Sequence, residues 1–426
     1  MTRAITLLGL LAVMAGCGPD PGPPDAALQW TEVADNYAPG ALLSIWSNGP
    51  DNVWVVGGEP GSAVVRSYDG SGWTAHDTGL SQGLRWVHGF DSGELFVVGD
   101  GGAISMHSDG VWTPMDSGSP GATFWGVWGS APDDVYAVGG PYFQAPSGVC
   151  ANNDIPDCSL DETQLAATSS DEAGEETGDG EAPESGEEGS DGEAPESGEE
   201  TGEEEPEAKS CHAPSSCDDD DPCTEDVCVG GVAFEKDVVV HYDGSTWSRV
   251  TLPDQSSPTS GQLYKVWGSG PDDVFIVGSE ARSLHGSADA WEWVDAGVGV
   301  PLWTVAGTDA DTVYAVGGLF NNATLIQWDG AAWDVVALPE EQPSMLQGLW
   351  VDTDGTVYIA GPNGYTATRS PAGDWVIGDV ITALQYHAIF GDGAGGLYVA
   401  GGDISTAKSE HLGVLSTTAS GVAPLP

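Results

Sequence analysis

The side chains best suited to chemistry crowd one stretch, Cys217-Asp218-Asp219-Asp220-Asp221-Pro222-Cys223-Thr224-Glu225-Asp226-Val227-Cys228. Asp218, Asp219, Asp220, Asp221, Glu225 and Asp226 offer hard oxygens to a cation that takes about six to eight of them, so Ca2+ is the metal this stretch would hold. The order of ligands and the central glycine of an EF-hand are missing, and a solvated acidic loop pinned by disulfides is the alternative. Six cysteines, Cys150, Cys158, Cys211, Cys217, Cys223 and Cys228, lie between residues 150 and 228. Their spacing lacks the close C-x2-C pairs of a zinc site, which favours three disulfides.

Other motifs carry less. Gly391, Gly393 and Gly396 match a dinucleotide loop, but they sit between two expected strands, where such a loop must open a helix. Arg66, Arg85, Arg249, Arg282 and Arg369 are scattered and show no carboxylate-binding cluster. His107 and His241 each precede a hairpin Asp by two residues, a spacing that could bring two metal ligands together. Trp46, Trp128, Trp267 and Trp350 could stack on sugars, yet they recur at one repeat position, which points to core packing.

A repeat positions these groups. Seven apolar strands end in glycine: Val53–Gly57, Leu95–Gly99, Val135–Gly139, Val274–Gly278, Val313–Gly317, Val357–Gly361 and Leu397–Gly401. A turn precedes each, as in Pro132-Asp133 and Pro271-Asp272, where proline presets the backbone and Asp caps it. Asp-Gly hairpins leading into tryptophan follow several, at Asp69–Trp73, Asp243–Trp247 and Asp329–Trp333. Four antiparallel strands at a period near 40 residues describe a propeller blade. The anchors Trp46, His88, Trp128, Trp267, Ala306, Trp350 and Phe390 are 42, 40, 139, 39, 44 and 40 residues apart. The long interval places an insertion in the third blade. The fold expected is all-β, a seven-bladed β-propeller with a disordered, disulfide-bearing acidic insertion in blade 3. Gln29–Val33 reads as a stray fourth strand that closes the ring against the seventh blade.

The repeats resemble secreted bacterial propellers of the WD40/YVTN/BNR-like group, and the Asp-Gly-x-x-Trp hairpins resemble a shortened Asp-box. That resemblance specifies a fold rather than an activity. Its expected layout is propeller over 28–140 and 237–426, with an insertion over 141–236. Within the insertion, the decapeptide at 179–188 recurs at 191–200, and residues 161–207 hold 20 of the 66 acids and no Lys or Arg. Such composition resists folding.

The net charge is −56, with only 10 Lys plus Arg, which excludes nucleic acid as a partner. Residues 1–17 have the form of an export signal. Met14-Ala15-Gly16-Cys17 resembles the bacterial lipobox, which implies lipidation at Cys17 and a proline-rich tether over 18–27. Gly18 after the cysteine implies the outer membrane or cell surface, with the lipid as the sole membrane contact. The function expected is a non-catalytic binding or scaffolding lipoprotein whose partner is a protein or glycan of the envelope. The alternative is a glycan hydrolase, sialidase-like or another glycosidase, with carboxylates at the channel mouth. Single-copy polar residues converging on one end of the channel would speak for that alternative.

Overall fold

The computed structural model describes residues 27–59, 61–141, 226–229, 232–235, 237–254, 261–287, 290–319, 321–404 and 412–426. Among them are seven four-stranded antiparallel sheets, the blades of a propeller. Their first strands, Leu42–Gly49, Leu84–Gly89, Ala122–Ala131, Leu263–Gly270, Leu302–Asp309, Gly348–Val351 and Tyr386–Gly391, each neighbour the next. The last returns to the first, so these inner strands ring a central axis.

The second strands explain why every position in them is apolar. In blade 1, Val53 and Val55 pack with blade 7, whereas Trp54 and Val56 pack with blade 2. Alternating side chains point to opposite faces, and here both faces are covered. Seven apolar clusters result, one at each interface between successive blades.

The seven anchors are structurally equivalent: each stands opposite the aromatic or tyrosine second residue of its neighbouring strand, as Trp128 does opposite Tyr136 and Ala306 opposite Tyr314. Several rest on a glycine of the following blade. A Cβ on Gly89 would lie 2.8 Å from the Trp46 ring, and one on Gly268 would lie 2.6 Å from that of Trp128. His88 bridges to the same place by a 3.2 Å hydrogen bond with the Gly129 carbonyl. The repeated tryptophans are therefore interface packing.

The ring closes through Thr31–Tyr37, which pairs antiparallel with Gly413–Thr417 and completes blade 7. It begins two residues later than the stray strand read from sequence and runs four residues further. Residues near the other end of the sequence lie across blades 1 and 7: Trp73 Nε1 of blade 1 donates to Ala423 O at 2.8 Å, and Leu425 N–H donates to Val33 O of blade 7 at 2.9 Å.

In blade 3 the second strand, Asp134–Pro141, pairs with Val238–Tyr242, so Gly139 stands opposite Val238 although 98 residues separate them in sequence. Asp226–Val229 and Val232–Glu235 form a two-stranded ladder of their own. Asp226 and Cys228 belong to its first strand. Cys17, the tether, Cys150, Cys158, Cys211, Cys217, Cys223, Asp218 to Asp221 and Glu225 lie outside the described residues, and so do the side chains of Asp226 and Cys228.

The interface glycines yield a paired test. Gly268→Val must displace the Trp128 ring or the Asp273 carbonyl, 2.7 Å away, and is expected to destabilise by about 2–4 kcal/mol. Gly270→Val, with nothing within 4 Å, should stay within roughly 0.5 kcal/mol of the parent. Denaturant titration of both measures the difference, and equal midpoints would remove the glycine seat as a constraint.

Candidate functional site

Near its start, the inner strand of six blades carries a bulge, where two residues oppose one on the second strand. The extra residues are Leu43, Arg85, Trp125, Tyr264, Trp303 and His387. Gln347 takes the same place in blade 6, donating its N–H to Ala360 O ahead of Gly348. A bulge re-aims side chains that a regular ladder would hold in the pleat. All seven stand three residues before the anchor, yet no two neighbouring blades share a residue type there.

Four of them make a continuous arc. Arg85 lies over the Trp125 ring at 4.8 Å. Trp125 meets Tyr264 edge-on at 6.2 Å, and Tyr264 stacks on Trp303 at 4.6 Å. The three aromatic rings are part-exposed rather than buried. Lys265, beside Tyr264, places Nζ 4.0 Å from the Trp86 ring centroid and donates to Trp125 O at 2.7 Å.

The charges here are held differently. Arg85 donates from Nε and Nη2 to the two oxygens of Asp100, each at 2.8 Å, a bidentate pair whose acid is 3% exposed. Thr123 Oγ1 donates to the same acid at 3.3 Å. Lys265 faces no carboxylate among the described residues, and burial, followed by the nearby Arg85 charge, lowers its pKa from 10.5 to about 7. Burial likewise lowers His387 to about 4, with Lys265 and Arg85 adding to the effect, so at neutral pH its uncharged ring bonds Gly402 O at 2.9 Å. Blade 7 thus feels charges from blades 4 and 2, which places these groups around one end of the axis. Burial raises Tyr264 to about 12, so it stays a phenol.

Single-copy residues therefore do converge on one channel end. Their chemistry is cationic and aromatic rather than acidic: Asp100 and Asp392 are the buried acids among the described residues, and Asp392 caps a turn, accepting the N–H of Ala394 and of Gly396 at 2.8 Å each. That turn, between Tyr386–Gly391 and Leu397–Gly402, contains Gly393 and ends at Gly396, so the glycine motif is a hairpin.

The histidines behave otherwise than their spacing suggests. Blade 2 has a two-residue hairpin, Asp109-Gly110, where blade 3 has a four-residue loop. His107 consequently opposes Leu95, while His241 opposes Tyr136, the counterpart of Phe96. A one-residue slip sends side chains to opposite faces. His107 packs on Trp54 and Trp112, and His241 bonds Asp134 at 2.7 Å. Asp134 also accepts from Ser130, and blade 4 repeats the arrangement with His285, Asp273 and Ser269, which marks it as a structural brace of the blade. The five arginines stand on five different blades. No group of three or more metal-binding side chains forms among the described residues.

No protein-family model matches the chain, and comparison with curated proteins finds none similar to it. Solved structures do match across most of it. YCF48 from Cyanidioschyzon merolae is 12% identical with a TM-score of 0.53, covering 92% of this chain and 98% of its own; a structure of YCF48 bound to D1 peptide matches as well. A streptogramin B lyase is 8% identical with a TM-score of 0.55, covering 91% and 97%. The WD40 propeller domain of Doa1 is 9% identical with a TM-score of 0.54, covering 91% and 97%. At these identities the likeness is one of fold.

Lys265 supplies a titration test. Between pH 7 and 10.5 the unfolded chain binds a proton that the folded chain does not, so its contribution to stability rises with pH across that window, and the cost of burying the charge is fully present below it. Relative to the parent, Lys265→Met should gain stability as pH falls from 10 to 6, read by denaturant titration at each pH. A difference independent of pH would show that the amine is not forced towards neutrality.

Proposed function

We propose that this chain is a binding propeller, lipid-anchored through Cys17 at the outside of a bacterial cell, which holds a protein or glycan of the envelope at the channel end built by Arg85, Trp125, Tyr264, Trp303 and Lys265. The observation that carries this reading is the division of labour there. The polar groups are tied down by Asp100 and by backbone carbonyls, while the aromatic faces remain part-exposed. Aromatic rings with Arg beside them are what interfaces use as anchors. A carboxylate that must donate or take up a proton needs freedom that Asp100 lacks, since both its oxygens are held by Arg85. The propeller that binds a D1 peptide is consistent with a protein partner.

Protein starting at Gly18 would be used to capture envelope proteins and glycans, in parallel with Trp125→Ala and Trp303→Ala and with a form in which a short Gly-Ser link replaces residues 142–236. A partner lost by at least about tenfold in affinity with either tryptophan, and kept without the insertion, is the expected result. A partner lost only with the insertion moves function to that segment, and glycan hydrolysis abolished by Asp100→Asn would replace the binding reading with catalysis. Palmitate labelling that persists in Cys17→Ser would remove the anchor.

A further inference from the structure

We propose that the channel end recognises a single carboxylate carried on a flat aromatic body, with Lys265 and Arg85 meeting the carboxylate and Trp125, Tyr264 and Trp303 the body. This rests on the binding reading above and adds the chemistry of what is bound.

Unused donors are the first ground. Of the three N–H groups on Lys265 Nζ, one is engaged with Trp125 O. Arg85 spends the Nε–Nη2 edge on Asp100 and keeps Nη1, which has no hydrogen-bond partner among the described residues. The indole Nε1 of Trp125 is buried without an acceptor among the described residues, which leaves a desolvated donor unsatisfied. These are donors from three successive blades, and they call for an anion.

Charge decides which anion. Arg85, Lys265 and Asp100 sum to one positive charge when the lysine is protonated. Arg282 and Glu280, both acting on Tyr264, offset one another. Asp403 acts on His387 with the opposite sign to Lys265 and Arg85, and His387 adds no charge at neutral pH because burial holds it uncharged. A surplus of one positive charge at most matches a monoanionic carboxylate better than a phosphate dianion, whose second charge would be left uncompensated in a part-buried setting. The stacked pair Tyr264–Trp303, with Trp125 edge-on beside it, then offers rings to a planar apolar group next to the carboxylate. Two sources share this chemistry, the C-terminus of a peptide ending in an aromatic residue and a free aromatic acid.

Proton linkage gives the site a signature. The groups around Lys265 are Arg85 from blade 2, itself paired with Asp100, Tyr264 on its own strand and His387 from blade 7. A bound carboxylate favours the ammonium form, so binding above pH 7 takes up a proton and weakens as pH rises.

The test follows the indole N–H signals of 15N-labelled protein during titration with N-acetyltryptophan, its carboxamide, indole-3-acetate and phenyl phosphate. N-acetyltryptophan should shift the Trp125 and Trp303 signals and bind at least about tenfold more tightly than the carboxamide, with phenyl phosphate no tighter. Lys265→Met should abolish that preference while the carboxamide's weak binding persists, and calorimetry at pH 8 in two buffers should show proton uptake. Indole-3-acetate as tight as N-acetyltryptophan assigns the site to a free aromatic acid, and weaker binding assigns it to a peptide C-terminus; either keeps the carboxylate. Equal affinity for acid and amide, a preference unchanged in Lys265→Met, or no response from Trp125 and Trp303 overturns the proposal. An envelope partner that still depends on those tryptophans would leave the binding reading standing.

Discussion

Closure of the ring is the constraint on which everything else in this protein depends. A blade buries both faces of its second strand only if a neighbour stands on each side, and the first and last blades have such neighbours only because they meet each other. The chain achieves this by lending Thr31–Tyr37 to blade 7 and laying the segment around Ala423 and Leu425 across blades 1 and 7. Gly413–Thr417 is then paired on both sides, as the third strand of every other blade is. The interfaces themselves are set by large rings seated on glycines, a contact that tolerates little change in volume on either side.

That rigidity is what allows the inner ring to hold an unfavourable group. Lys265 sits without a carboxylate partner among the described residues, against Trp86 and near Arg85. Burying an unneutralised amine opposes folding, and a loosely packed scaffold would let it swing to water. Here the cost is borne by a ring whose other contacts are apolar and repeated seven times. Strain or cost concentrated in one blade position, within an otherwise regular repeat, is the usual mark of a site rather than of a scaffold.

The same repeat separates bracing from binding. Ser130, Asp134 and His241 form a polar trio that looks catalytic in isolation, yet blade 4 builds it again from Ser269, Asp273 and His285. Recurrence assigns it to the blade. Arg85, Trp125, Tyr264, Trp303 and Lys265 occupy positions where no two neighbouring blades agree, and the field of a protein with net charge −56 makes two cations there a local exception.

By itself, the sequence determined the blade. Its apolar runs, Asp-Gly turns and anchor spacing are local or periodic features, and a repeat announces itself because each copy solves the same packing problem. The anchors were legible as packing residues for that reason, and the closing strand as a fourth strand without a blade. Only the tertiary structure decided which residues face one another across the ring. The bulge that turns Arg85, Trp125 and Tyr264 away from the pleat has no residue type common to the blades to announce it, since the bulged column and the one after it, Trp86, Gly126 and Lys265, both change from blade to blade. The hairpin length that separates His107 from His241 changes a face by one residue, and a sequence spacing counted from the turn cannot register that. Neighbours 40 or more positions apart meet because the ring closes, and closure is a property of the whole chain.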